Sequence, residues 1–161
     1  MPPPYRNILI ICHANTSRSI IAEELLKKML RERAADLVVR SGGVAPYARD
    51  GALVSMDARL VLRDEGIHLS GDEVATDLKN KHHLVEEADL ILAMTGEQID
   101  ILHAIIPAAA GKEVYTLKAF AGAEGDIADP AGQGESVFAA CRDEIKACLE
   151  RAIERIVRTE C

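Results

Sequence analysis

The stretch "NILIICHANTSRSIIAEELLKK" (7–28) constrains the fold more than any other. "NILIIC" (7–12) reads as a strand: its apolar run 8–12 is too short for an independent helix and has the unbroken character of a strand buried on both faces. Five small or polar residues, "HANTS", separate Cys12, which ends the run, from Arg18. Apolar residues at helical spacing then begin at once. A strand delivering a cysteine into a short loop, with a helix directly behind it, is the opening of an alternating α/β chain.

The alternation continues. "IIAEELLKKMLRERAA" (20–35) reads as a helix and "LVVRSGG" (37–43) as a strand and turn. "GALVSMDARLVLRDEG" (51–66) reads as an amphipathic helix stopped by Gly66. "ADLILAM" (88–94) is a strand, "EQIDILHAIIP" (97–107) a helix ended by Pro107, and "EVYTLKAF" (113–120) holds a last short strand. A Gly-, Asp- and Pro-rich loop then leads to a long closing helix over 135–158. The expected fold is therefore α/β: a three-layer open sandwich with a four-stranded parallel sheet and helices on both faces. At 161 residues, 1–161 is expected to be a single domain. Ligands in such sheets bind beyond the carboxyl ends of the strands, which is where Cys12 stands.

Composition narrows the function classes. The net charge of −7 and the lack of a basic cluster argue against nucleic acid as a partner. An acidic chain that binds an anion needs a local trap, because its overall field repels one. No apolar run is long enough to span a bilayer, and "MPPPYRN" lacks the apolar core of a secretory signal, so cytoplasm is the expected location. The four cysteines, Cys12, Cys141, Cys148 and Cys161, have neither zinc-site spacing nor disulfide-scaffold density. "KHH" (81–83) reads as a solvated helix end, so no metal and no cofactor is expected. A monomer or weak dimer is the expected assembly.

The chemistry concentrates in Cys12 to Ser19. A loop this short can turn its backbone N–H groups inward beside the positive end of the following helix, forming a nest for a tetrahedral oxyanion. Arg18 at its rim offers a planar fork for two oxyanion oxygens. The same field favours negative charge on the Cys12 sulfur, its nucleophilic form. A thiolate beneath a bound phosphate is placed for in-line attack on phosphorus. An arbitrary free cysteine is usually packed core, but C-x5-R-S between a strand and a helix reverses that expectation. A leaving group also needs a proton, which a carboxylic acid on a loop can supply. "GDIADPAGQG" (125–134) offers Asp126 and Asp129, although Asp-Pro is also a common turn initiator.

C-x5-R-S followed by "IIAEELL" resembles the low-molecular-weight protein tyrosine phosphatase family. "RSGGV" (40–44), "ADLILAMTGEQIDIL" (88–102) and "GDIADPAGQG" are similar to later segments of that family, in the same order. The resemblance implies hydrolysis of a phosphorylated protein side chain through a phosphocysteine. Cys12 would be the nucleophile, Arg18 the transition-state clamp and Asp129 the general acid, then base. Ser19 would donate to the thiolate, and Asn15 with Ser41 would hold the loop in shape. His13, Ala14, Asn15, Thr16, Ser17 and Ser19 would cradle the phosphate. Tyr47, Pro130 and Ala131 would shape its surroundings.

Four positions depart from the family pattern. Ala14 stands where glycine is usual, so a positive φ there would cost energy. Ser17 replaces a frequent second cysteine, which removes the option of a disulfide within the loop. Asp72 lies near the place of a histidine that often supports the Asn–Ser network. Ala131 follows Asp129-Pro130 in place of an aromatic. Thr16, "VYTLKAFAG" and "GDIADP" resemble the arginine-phosphatase branch, and few aromatic residues are available to hold a tyrosine ring. Phosphoarginine is therefore favoured over phosphotyrosine, although Thr16 can equally be a loop residue bonding its own backbone. Thiol-dependent arsenate reduction would need a resolving cysteine able to reach Cys12. Cys141 and Cys148 share one face of the last helix and suit core packing better, while Cys161 is terminal. A catalytically inactive phosphate-binding module is the remaining alternative.

Overall fold

The computed structural model describes residues 5–157. Strand β1 (Asn7–Cys12) runs into the loop 13–17, and α1 (Arg18–Glu32) starts at the arginine itself. The expected start at residue 20 thus moves back to Arg18. The helix stops short of residue 35 because Ala34 adopts a left-handed φ of 54° and the Ala35 N–H reaches back to the Leu30 carbonyl. Next come β2 (Val38–Gly43) and α2 (Met56–Arg63). The expected helix over 51–66 loses its first turn for local reasons. Gly51 has φ 84°, Leu53 pairs with Val74, and Ser55 caps the helix by accepting from the Ala58 N–H.

A short helix of which the sequence reading held only the solvated end at "KHH", α3 (His82–Glu87), precedes β3 (Leu90–Ala93). Its turn and a half is too brief to leave a periodic signal. His82 and His83 are exposed at its start. Helix α4 (Gly96–Ile105) follows β3, with Thr95 and Gln98 forming a reciprocal capping box. Strand β4 occupies only Val114–Thr116, and the rest of the expected strand segment turns into α5 (Leu117–Phe120). The chain closes with α6 (Glu135–Val157).

Among the described residues the strands form one sheet in the order β2-β1-β3-β4, parallel throughout. Alternation along β1 divides its side chains between two cores. Ile8, Ile10 and Cys12 join α1, α2, α5 and α6 on one face, while Leu9 and Ile11 join the α3 and α4 side. Both faces are therefore covered, which is why the strand reads as continuous hydrophobe. The carboxyl end of β1 lies between those of β2 and β3, so Cys12 emerges at the middle of the sheet edge. Gly43 pairs with Cys12 in register. A Cβ there would lie 2.6 Å from the His13 carbonyl oxygen and 2.9 Å from the Ala14 carbonyl carbon. The glycine lets the loop settle directly onto the end of β2.

Candidate active site

The loop's carbonyls are tied to the surrounding chain. Val44 N–H donates to the Cys12 oxygen at 3.0 Å, Ala45 N–H to that of His13 at 3.0 Å, and Ser55 N–H to that of Thr16 at 2.9 Å. With its acceptors held outward, the loop presents N–H groups to the space above Cys12, joined by the unpaired N–H groups of the first turn of α1. That space is a cavity of about 230 Å³ lined by Cys12, His13, Ala14, Thr16, Ser17, Arg18, Tyr47, Asp129 and Ala131.

Asn15 organises the floor. It is 1% exposed and has φ 63°, a conformation asparagine tolerates better than most residues. Its Oδ1 accepts from the Thr76 N–H at 2.8 Å, which orients the amide. Its Nδ2 then donates to Ser19 Oγ at 2.7 Å and to Ser41 Oγ at 2.9 Å. With both hydroxyl oxygens accepting from the amide, their protons point elsewhere. Ser19 donates toward Cys12 Sγ at 2.8 Å, and Ser41 donates to Glu23. The Asn15 N–H adds a second donor to the sulfur, at 3.2 Å. The network thus aims two donors at Cys12 and stabilises charge there.

Arg18 is 4% exposed, yet its guanidinium lies within the cavity wall. Its Nη1 donates to the Ile127 carbonyl at 2.7 Å, and its Nη2 lies 3.3 Å from His13 Nδ1 and 4.0 Å from Asp129 Oδ2. The Ile127 contact couples Arg18 to the loop carrying Asp129. That loop is braced by Ala131 N–H donating to Asp129 Oδ1 at 3.0 Å and by buried Pro130. Asp126 points elsewhere, accepting from the Gly96 N–H at 3.0 Å on the first turn of α4. Of the two candidate carboxylates, only Asp129 lines the cavity.

The structure gathers Cys12, His13, Ala14, Thr16, Ser17, Arg18, Tyr47, Asp129 and Ala131 around the cavity, with Asn15, Ser19 and Ser41 beneath it. Two of the departures from the family pattern take a definite form. Ala14 does not adopt positive φ, so alanine carries no backbone penalty there. Asp72 is exposed in a turn, its N–H donating to Ser70, and takes no part in the Asn15–Ser41 network. Glu23 and the Thr76 backbone do that work instead. Glu23 had no sequence signal, being one acidic residue among many on α1. Gln98 was also missed, although the T-x-x-Q spacing of Thr95 and Gln98 marks a capping box.

Cys141 and Cys148 are buried along α6. Burial pushes the Cys141 thiol up to about 11 and shifts that of Cys148 in the same direction, which leaves both poor thiolates for a redox relay. Cys161 lies outside the described residues. Among those residues, no helix is long and apolar enough to cross a membrane, and no group of three or more His, Cys, Asp or Glu side chains gathers.

Comparison with known proteins gives the same grouping. The profile of the family described as low molecular weight phosphotyrosine protein phosphatase matches residues 7–160. A protein-arginine-phosphatase of Geobacillus stearothermophilus is 36% identical over 154 residues, covering 95% of this chain and 97% of the relative. The solved structure of the YwlE arginine phosphatase from that species aligns with a TM-score of 0.81 at 36% identity, over 94% of this chain and 92% of its own. A probable low molecular weight protein-tyrosine-phosphatase of Erwinia amylovora, AmsI, is 31% identical over 151 residues, 94% of each chain.

Proposed function

Because the chain belongs to the low molecular weight phosphotyrosine protein phosphatase family and is a cysteine-dependent protein phosphatase, we propose that its substrate is phosphoarginine on proteins. In this mechanism the phosphoryl group sits in the N–H nest with two of its oxygens on the Arg18 fork. The Cys12 sulfur, charged and held by Ser19 and the Asn15 N–H, attacks phosphorus in line with the P–N bond. That bond breaks as Asp129 gives its proton to the departing guanidino nitrogen. The S–P bond formed is a phosphocysteine. Asp129, now a carboxylate, takes a proton from water, the water oxygen attacks phosphorus, and the S–P bond breaks to release phosphate and restore the thiolate.

The observation that carries the guanidinium preference is the cavity wall around Asp129. Thr16 and Ala131, a small polar and a small apolar side chain, line the cavity with it. A guanidinium leaving group pairs with a carboxylate through N–H donors, which a phenol ring lacks. Among the described residues that line the cavity, Tyr47 alone carries a benzenoid ring, and that side chain is 67% exposed. The likeness to the Geobacillus arginine phosphatase adds weight. Tyr47 at the rim is also what favours the second reading, a phosphotyrosine phosphatase.

Matched phosphoarginine and phosphotyrosine peptides separate the two. The expected result is a higher kcat/KM for phosphoarginine, with Thr16→Ile shifting the ratio toward phosphotyrosine by a methylene-scale amount, about 1–3 kcal/mol. A wild type that prefers phosphotyrosine, with a ratio unmoved by the substitution, would leave a tyrosine phosphatase with an open rim.

A further inference from the structure

His13 lines the cavity wall beside Arg18, and its ring is held from behind by a side chain that takes no part in the mechanism above. Gln98, in the first turn of α4, is 0% exposed. Its Oε1 accepts from the Met94 N–H at 2.9 Å and the Thr95 N–H at 3.0 Å. With that oxygen occupied, the NH2 end of the amide is the end lying 3.1 Å from His13 Nδ1. The same Nδ1 lies 3.3 Å from Arg18 Nη2. Gln98 NH2 and a guanidinium can only donate. The one nitrogen that faces both must therefore carry a lone pair, which leaves the ring proton on Nε2, 3.5 Å from Glu97 Oε1.

We propose that His13 is a positioning residue for Arg18. Gln98 fixes the ring with Nδ1 as an acceptor, and that acceptor holds one side of the guanidinium while the Ile127 carbonyl holds the other through Nη1 at 2.7 Å. Two anchors on different nitrogens fix the guanidinium plane, and the remaining N–H groups face the oxyanion nest. The charged groups around the ring are Arg18 on α1, Glu97 on α4, Asp129 on the acid loop and the sulfur of Cys12 at the end of β1. A proton on Nδ1 would oppose two donors and release the Nη2 anchor. The inference rests on Arg18 as the phosphate clamp, as in the proposed mechanism, and is independent of the preference for phosphoarginine.

The test uses the purified full chain with an aryl phosphate as substrate and inorganic phosphate as competitive ligand. His13→Leu removes the acceptor, so kcat/KM and phosphate affinity should both fall roughly tenfold, the scale of one hydrogen bond to a charged group. His13→Asn places an amide oxygen near the position of Nδ1 and should recover most of the loss. Gln98→Glu retains an oxygen for the Met94 and Thr95 N–H groups but replaces the donor facing the ring, which draws the ring proton to Nδ1. It should resemble His13→Leu and add little in that background. Nitrogen-15 spectra of the wild type, which do not depend on any variant folding, should show an unprotonated Nδ1 and a protonated Nε2. A proton on Nδ1 in those spectra would overturn the proposal. So would His13→Leu with wild-type phosphate affinity while Arg18→Lys is inactive. Full activity in Arg18→Lys would instead remove the clamp on which the inference rests.

Discussion

Asn15→Ala is the substitution whose consequence the structure specifies most closely. It deletes three hydrogen bonds, to the Thr76 N–H and to the hydroxyls of Ser19 and Ser41. At a net value of about 1 kcal/mol each, that is about 3 kcal/mol. Alanine at φ 63° adds a left-handed penalty of roughly 1–2 kcal/mol. The expected loss of stability is thus about 4–5 kcal/mol, large against the 5–15 kcal/mol total typical of a domain. Asn15→Gly separates the two contributions, because it loses the same hydrogen bonds without the backbone strain. It should be the more stable variant by roughly 1–2 kcal/mol. Urea unfolding at neutral pH measures both. Activity should fall in both variants, since freed hydroxyls no longer direct the Ser19 proton at Cys12. A donor to a charged group is worth roughly 1.5–3 kcal/mol, which sets the expected loss in kcat/KM at about tenfold or more. Equal stability of the alanine and glycine variants would refute the strain argument. Wild-type kcat/KM in Asn15→Gly would refute the directed hydrogen-bond network.

Three further outcomes follow from the geometry. Asp129→Asn should cost roughly 10²–10⁴-fold with poor leaving groups and much less with activated aryl phosphates, whereas Asp126→Asn, tied to Gly96 outside the cavity, should change little; the reverse pattern in steady-state kinetics would exchange their roles. Gly43→Ala forces a Cβ against the His13 and Ala14 backbone, so phosphate affinity should drop even where the variant remains folded by circular dichroism, and unchanged affinity would mean that the loop shifts freely. Neutral iodoacetamide followed by peptide mapping should label Cys12, which lines the cavity, with loss of activity, and reach Cys141 and Cys148 only after unfolding, since both pack in the core with thiols shifted upward. A Cys12–Cys141 disulfide formed during turnover of arsenate would favour reductase chemistry.

The parts of this fold legible in the sequence are those where a strong local signal and the tertiary demand coincide. Strand β1 was readable to the residue because burial on both faces leaves five apolar side chains in succession, ended by a loop whose one apolar residue is Ala14. Helix α2 was misjudged because residues 51–55 carry apolar side chains at helical spacing while their backbone serves another purpose. The Ser55 N–H holds the Thr16 carbonyl, and Leu53 pairs with Val74. The cavity residues were legible because Cys12 to Ser19 are contiguous and the chemistry of each is explicit in its type. Glu23, Thr76 and Gln98 were not, because they reach the site from distant segments and act through a carboxylate, a backbone N–H and an amide common on any surface.

The same contrast explains how an acidic chain can capture an anion. The net charge of −7 works against phosphate at long range, and among the described residues Arg18 is the one cationic side chain lining the cavity. Local attraction therefore depends on orientation more than on charge count. Carbonyls at Cys12, His13 and Thr16 are engaged by Val44, Ala45 and Ser55, which turns the opposite, positive side of each peptide inward. Remote segments, Val44 and Ala45 just past β2 and Ser55 before α2, thus supply part of the site's electrostatics without contributing a side chain to its wall. A substitution that disturbs one of those backbone contacts should weaken oxyanion binding with the formal charge unchanged, and salt should do little to mask the loss, because the dipoles act at contact distance inside the screening length.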